Sequence, residues 1–409
     1  SFAFKGKSEP IESIGTQLHV DAVLAGSVAK DGNRVRITAQ LINAADGYHL
    51  WSDSYDRDLR DIFAIRSEVA QTVAKALQVS LGAGEVRTLE QKPTQDVEAY
   101  QLYLKGRHAA STYADWDAAV RYLRQAIALD PSYALAYLGL AYYYVSSVDG
   151  YLAGSEALPR GREAAEKALQ LDPALAEAHA WLGVIHWWYD RDMAAARREF
   201  QTALTMQPDL ASARQFYGWY LVAHGQVDEG LAESRRAVEL DPLSSETNAY
   251  LGVNLYFIRR YDEAIRQLQT AIRTDPDYGY SHFWLGLAFA RVGKLSEALA
   301  EATVTLTQLE NAEAESALGR VHAQAGNRPE AETMLNGLRK RAQNGFVSAY
   351  DMALLHVSLE HIDEAFEYLG KAETERSYYI PWLKLDPELD PLRSDPRFAA
   401  LLKKVGAEP

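Results

Sequence analysis

Apolar residues fall into two different rhythms along this chain. From residue 97 onward they recur three and four positions apart, the spacing of one helix face. The stretch from Asp241 to Pro276 shows this most fully, with Leu251-Gly252, Leu255, Ala264, Leu268, Ala271 and Pro276. It opens and closes on Asp-Pro and predicts two amphipathic helices between. Prolines close successive blocks at Pro131, Pro173, Pro208, Pro242 and Pro276, with gaps of 42, 35, 34 and 34 residues. Proline breaks a helix interior but is tolerated in a first turn, so each one predicts a helix junction.

The first 88 residues alternate instead. Asp21–Lys30 and Asn33–Asn43 have period two and flank Asp31-Gly32, a hairpin signal. His49–Tyr55 reads as a third strand, reached through Ala45-Asp46-Gly47. Ile62, Ile65, Val69, Val73 and Leu77 give Asp61–Leu77 a helical stripe, and Ile11–Val20 reads as a short helix before the first strand.

The 34-residue period with Leu-Gly, Ala and Pro at fixed offsets resembles the tetratricopeptide repeat. Leu182-Gly183, Gly218, Leu251-Gly252 and Leu285-Gly286 stand in register, with Gly106 and Leu140-Ala141 ahead of them. Leu318-Gly319 with Ala331, then Ala353 with Ala365 and Ala372, suggest two degraded pairs. The resemblance spans residues 97–378 and implies about eight helix pairs. The expected fold is mainly α: a right-handed α-solenoid superhelix preceded by a small partial α/β domain. Each pair leaves an apolar face that its neighbour covers. Residues 89–96 read as a linker, as does Leu81-Gly82-Ala83-Gly84. Residues 379–409 read as a capping segment, in which Arg393–Val405 offers Ser394 or Asp395 as N-cap, Pro396 in the first turn, and Lys403 and Lys404 near the end.

Residues 1–88, through "IGTQLHVDAVLAGSV" and "VRITAQLINAADGYHLWSDSYDRDLRDIFAIRSEVA", resemble the TolB-like domain that precedes repeat arrays in bacterial regulators. The family's first strand and helix are missing from the start. In relatives this unit follows a winged-helix, adenylate cyclase or protein kinase domain. The resemblance implies a multidomain bacterial regulator, and the chain, which lacks an initiator Met, is expected to begin partway through a longer product. Cytoplasmic rather than periplasmic placement is the expectation.

Charge and chemistry narrow the function. A formal net charge of -14 argues against a general nucleic-acid surface. Without cysteine there is no disulfide or thiolate metal site. No apolar run reaches the ~20 residues of a membrane span, and no phosphate loop, HExxH or nucleophile elbow occurs. His179 and His186 share a helix, and both read as packing residues. No enzyme, cofactor or metal site is expected.

The candidate site is the first helix of each pair. With Gly or Ala at position 8, positions 2, 5, 6, 9, 12 and 13 face away from the helix–helix contact. Those positions carry Tyr142, Trp181, Trp187, Trp188, Phe216, Trp219, Tyr250, Tyr256, Phe257, Tyr280, Phe283, Trp284 and Arg291. Buried aromatics anchor binding surfaces, so the expectation is a concave groove that docks an apolar or amphipathic peptide or helix of a protein partner. Two other readings are carried with it. The groove could bind the protein's own upstream domain or a second copy, or the aromatics could hold a small molecule. The alternative to any binding is that the aromatics pack against one another. Val145–Pro159 could fold over the groove mouth.

Overall fold

The computed structural model describes residues 9–18, 20–32, 34–58, 61–77, 93–111 and 116–406. Ser1–Phe4, Asn33, Leu81–Gly84 and half of the expected linker lie outside these residues. The chain divides into two compact units, one running to Leu104 with Gln125–Tyr133 added, the other Lys105–Arg124 with Ala134 onward.

The first unit holds α1 (Ile11–Leu18), β1 (Ala22–Asp31), β2 (Arg34–Asn43), β3 (His49–Asp58) and α2 (Ile62–Ala76). The strands form an antiparallel sheet in the order β1-β2-β3. Asp31 pairs with Arg34, so the hairpin loop begins at Gly32, one residue later than its sequence signal, with a φ of +55°. The third strand runs three residues past Tyr55, because Arg36 and Arg34 continue the pairing with Asp56 and Asp58. Val35, Tyr55 and Ile65 form a small core, with Ile37, Trp51 and Val69 packed around it.

Helices α3 (Val97–Ser111) and α4 (Trp116–Leu129) come next. The second unit then continues as antiparallel pairs: α5 (Ala134–Ser146) with α6 (Gly154–Leu171), α7 (Ala176–Ile185) with α8 (Met193–Met206), α9 (Ala211–Ala223) with α10 (Val227–Leu240), and α11 (Ser245–Phe257) with α12 (Tyr261–Thr274). After them come α13 (Gly279–Arg291) with α14 (Leu295–Leu309), α15 (Ala312–Gln324) with α16 (Arg328–Arg341), and α17 (Ala349–Ser358) with α18 (Ile362–Thr374). This is the helical solenoid that the periodicity predicts. The first helices of successive pairs also pack on one another, which builds one continuous inner face.

The recurring residues have local causes. A Cβ on Gly252 would come within 2.6 Å of the Leu268 side chain, so the Leu-Gly signature marks where paired helices touch most closely. The Asp-Pro pairs sit just beyond the second helix of a pair, not in the next first turn. Asp172 and Asp275 fold back to accept the backbone N–H two residues on, each at 3.0 Å. The proline between prevents the helix from continuing.

Two places leave the repeat. After α7 the helix widens into a π turn over His186–Asp190, closed by Arg191 at φ 57°. The wider turn places consecutive Trp187 and Trp188 in the interior, 0% and 4% exposed. The loop between α5 and α6 turns sharply at Asp149, φ 66°. Gly154 then passes so close to a later strand of backbone that a Cβ would lie 2.1 Å from the Arg376 carbonyl oxygen.

The carboxyl-terminal segment, expected to cap the array, divides in two. Its last helix, α19 (Pro396–Lys404), lies against α18, with Asp395 as N-cap accepting from the Arg397 N–H and Lys404 reaching Glu373 at 2.6 Å. Residues Ser377–Leu392 instead return to the inner face of the solenoid.

Candidate functional site

The aromatic residues of the first helices come together in one cluster, and the chain's own segment Ser377–Leu392 lies on it. Trp181, Trp187, Trp188, Phe216, Trp219, Tyr256, Phe257, Phe283 and Trp284 are buried. Tyr142, Tyr250, Tyr280 and Arg291 are partly buried. Trp382 sits at the centre, fully buried, stacked on Phe257 at 4.3 Å and beside Trp187 and Trp219 at 6.2 and 5.2 Å. Tyr378 lies against Trp188 and Trp219, and Tyr379 stacks on Tyr350 at 4.9 Å. One segment thus reaches from the π turn after α7 to α17.

Apolar contact is joined by charge. Glu388 of the segment accepts from Arg291 at 3.1 Å and from Arg320, which is 2% exposed and lies over the Phe283 ring. Arg291 also donates to the Pro387 carbonyl. Burial alone would raise the Glu388 carboxyl, but the two guanidinium groups hold it below the usual carboxylate range. Beside it, burial and the Glu388 charge push Asp386 up to about 6, while it accepts from the Tyr350 hydroxyl at 2.6 Å. Outside the cluster, Arg259 forks onto Asp390 with two 2.6 Å bonds.

The segment enters through a buried latch. Asp149 accepts from the Ser377 hydroxyl at 2.7 Å, the Tyr378 N–H at 2.9 Å and the Ser348 hydroxyl at 3.3 Å. Burial pushes its carboxyl up to about 7 against the pull of those donors. The α5–α6 insertion therefore anchors the segment, where sequence had suggested a cover for the groove mouth. Glu313 is likewise buried and accepts from the hydroxyls of Tyr280, Tyr378 and Tyr379 at 3.1, 3.3 and 3.0 Å. Burial raises it despite these three donors.

Next to Tyr378 a cavity of ≈ 60 Å³ remains open, walled by Trp188, Trp219, Tyr250, Tyr280 and Trp284, with Glu246 on its side. Among the described residues Glu246 has one side-chain partner, the Gln215 amide at 3.4 Å. Burial raises its carboxyl, and Asp241 and Glu177 add to the rise.

Several of these residues follow the positional rule that found the aromatics. Glu177, Glu246 and Glu313 all occupy position 2, and Arg320 occupies position 9 of the degraded seventh pair. Reading the face for charge as well as for aromatic rings would have found them. Trp382, Tyr378 and Glu388 carry no such signal, since no repeat spacing reaches them. The two histidines differ from expectation. His179 and His186 are both partly exposed, with their Nδ1 atoms 2.7 Å from Glu199 and Asp190, so each makes a polar pair outside the core. Among the described residues no group of His, Asp and Glu is placed to hold a metal ion, and no helix is long and apolar enough to cross a membrane.

Known proteins share parts of this chain. The putative adenylate cyclase 3 of Rhizobium meliloti (strain 1021) is 35% identical over 195 residues, 47% of this chain and 33% of that protein. The transcriptional regulator HilA of Salmonella typhimurium is 26% identical over 248 residues, 60% of this chain and 43% of that protein. The chain thus spans between a third and a half of the length of these curated relatives. In fold it is similar to the human IFIT1 dimer with m7Gppp-AAAA, at a TM-score of 0.50 and 14% identity, over 75% of this chain and 76% of that one. Residues 188–245 and 251–313 match the tetratricopeptide repeat model, so these stretches carry tetratricopeptide repeats, a kind of scaffold for protein–protein interaction.

Proposed function

We infer that this chain is a non-enzymatic interaction module of a longer bacterial regulatory protein, and that its inner groove docks a peptide segment. The observation that carries the reading is the groove's present occupant. A 16-residue stretch, Ser377–Leu392, already lies there, held by its own Trp382 stacked on Phe257 and by Arg291 and Arg320 on its Glu388. A partner segment of the same chemistry carries an aromatic anchor followed by acidic residues, and binds when the internal segment gives way. The internal segment then acts as a built-in competitor, which joins the docking reading to the intramolecular regulatory one. The regulatory context draws on the curated relatives, a putative adenylate cyclase and a transcriptional regulator. The TolB-like reading of residues 1–88 rests on their order of elements.

The test uses the full chain and a labelled peptide of the sequence from Ser377 to Leu392. Fluorescence anisotropy is measured with the intact chain and with a Trp382→Ala, Glu388→Gln variant shown by circular dichroism to remain helical. Binding to the variant and not to the intact chain supports an exchangeable groove. Should the folded variant fail to bind, the segment is a permanent part of the core and the docking reading falls.

A further inference from the structure

We propose that the cavity beside Tyr378 is a binding site for a small organic cation, an alkylated ammonium head group, held by aromatic faces and by the Glu246 carboxylate. Three observations converge on it.

The first is the wall. Trp188 and Trp219 meet at 80°, Trp219 and Tyr250 at 81°, with ring centroids 5.9 and 4.9 Å apart. Tyr378 lies 5.3 Å from Trp188 and 5.8 Å from Trp219. Rings at right angles around one space present π faces on more than one side. An ammonium group gains from each face within about 6 Å.

The second is charge. Glu246 stands partly buried in the wall of this cavity, accepting one long bond from Gln215, and among the described residues no ammonium or guanidinium group pairs with it. A partly buried carboxylate without a counter-ion is disfavoured, and a bound cation would lower that cost. The neighbouring acid Glu177 adds negative potential at the same place. Glu313 makes a useful contrast, since three tyrosine hydroxyls already satisfy it. Glu388 has two arginines. Of these three, Glu246 has the fewest side-chain donors, one long bond from Gln215, and it lines the open space.

The third is size. A space of ≈ 60 Å³ exceeds the roughly 10–15 Å³ that one water needs on the same measure, and suits a compact head group. Tyr378, which closes one side, belongs to the segment Ser377–Leu392. The site is therefore complete only with that segment seated, and it is tested on the intact chain, whatever becomes of peptide exchange.

The probes are choline and its neutral isostere 3,3-dimethylbutan-1-ol, titrated into the full chain and followed by tryptophan fluorescence and calorimetry. Choline is expected to saturate one site per chain and to bind roughly tenfold more tightly than the neutral isostere. Glu246→Gln should remove most of that preference, while Glu239→Gln on the exposed face of α10 should leave it unchanged. Equal binding of the two probes would overturn the proposal in favour of an unselective cavity. No saturable response to either would overturn it altogether. Because the two probes are compared on the intact chain, the result does not depend on how well the variant folds.

Discussion

In the amino-terminal unit, Leu24 and Val28 of β1 lie 52% and 69% exposed, and Leu24 lines an open hollow with Ile37, Ile62, Ile65 and Val69. In the repeat unit, an apolar face rich in larger side chains is almost wholly covered. Both faces arise from a correct rhythm of apolar residues, two-fold on the strand and helical on the first helices. They differ in what covers them. The inner face of the solenoid receives Ser377–Leu392 from its own chain. β1 has no strand on its outer edge among the described residues. A periodic apolar stripe therefore announces a face that excludes water, and says nothing of whether the covering comes from the same chain.

That contrast is broken most directly at Trp382. Trp382→Ala should lower the stability of the repeat unit by about 3–5 kcal/mol, the range for emptying a buried aromatic site. Leu24→Ser should change the amino-terminal unit by less than about 0.5 kcal/mol, as for an exposed position. Urea unfolding of both variants reads the comparison. If Trp382→Ala proved as mild as Leu24→Ser, the segment would not be part of the repeat core.

Charge sharpens it next. Glu388→Ala leaves the buried Arg320 only the Asp351 carboxylate at 3.9 Å and should cost about 3 kcal/mol, with part recovered when Arg320→Met is added. Full additivity of the two changes would deny the pairing. No counterpart exists on the sheet face, where the Arg34 and Arg36 bonds to Asp56 are exposed to solvent.

The last expected effect is on pH. Burial pushes the folded-state pKa of Asp149 up to about 7 and that of Asp386 up to about 6. Each therefore keeps a proton that the unfolded chain has already released. The stability this contributes is complete below the ordinary carboxylate pKa and is lost as pH rises through the folded values. The thermal midpoint of the repeat unit should fall between pH 5 and pH 8, as followed by circular dichroism, and Asp149→Asn should flatten the fall. A midpoint that rises over this range would contradict the burial of these groups.

The helix pairs were legible because their cause is local. Leu-Gly pairs such as Leu251-Gly252 record close approach within one repeat, and Asp-Pro records the turn between repeats. The hairpin was legible for the same reason, to within the one residue by which Gly32 shifts the loop. Trp181 to Trp284 could be assigned to one face because helical geometry places positions 6, 12 and 13 together. The acids at position 2, Glu177, Glu246 and Glu313, obey the same rule.

What no spacing contained was the meeting of Trp382 with Phe257, or of Glu388 with Arg291 and Arg320. Those contacts join residues that are far apart in sequence, and their energies depend on desolvation and ring geometry that exist only once the solenoid has formed. The same holds for Asp149, which looks like an ordinary turn acid until its three donors arrive from Ser348, Ser377 and Tyr378. The sequence by itself determined the elements, their order and which side of each first helix is apolar. Only the tertiary structure decided what fills that side and where a space remains, because burial is a property of the assembled chain and not of any one repeat.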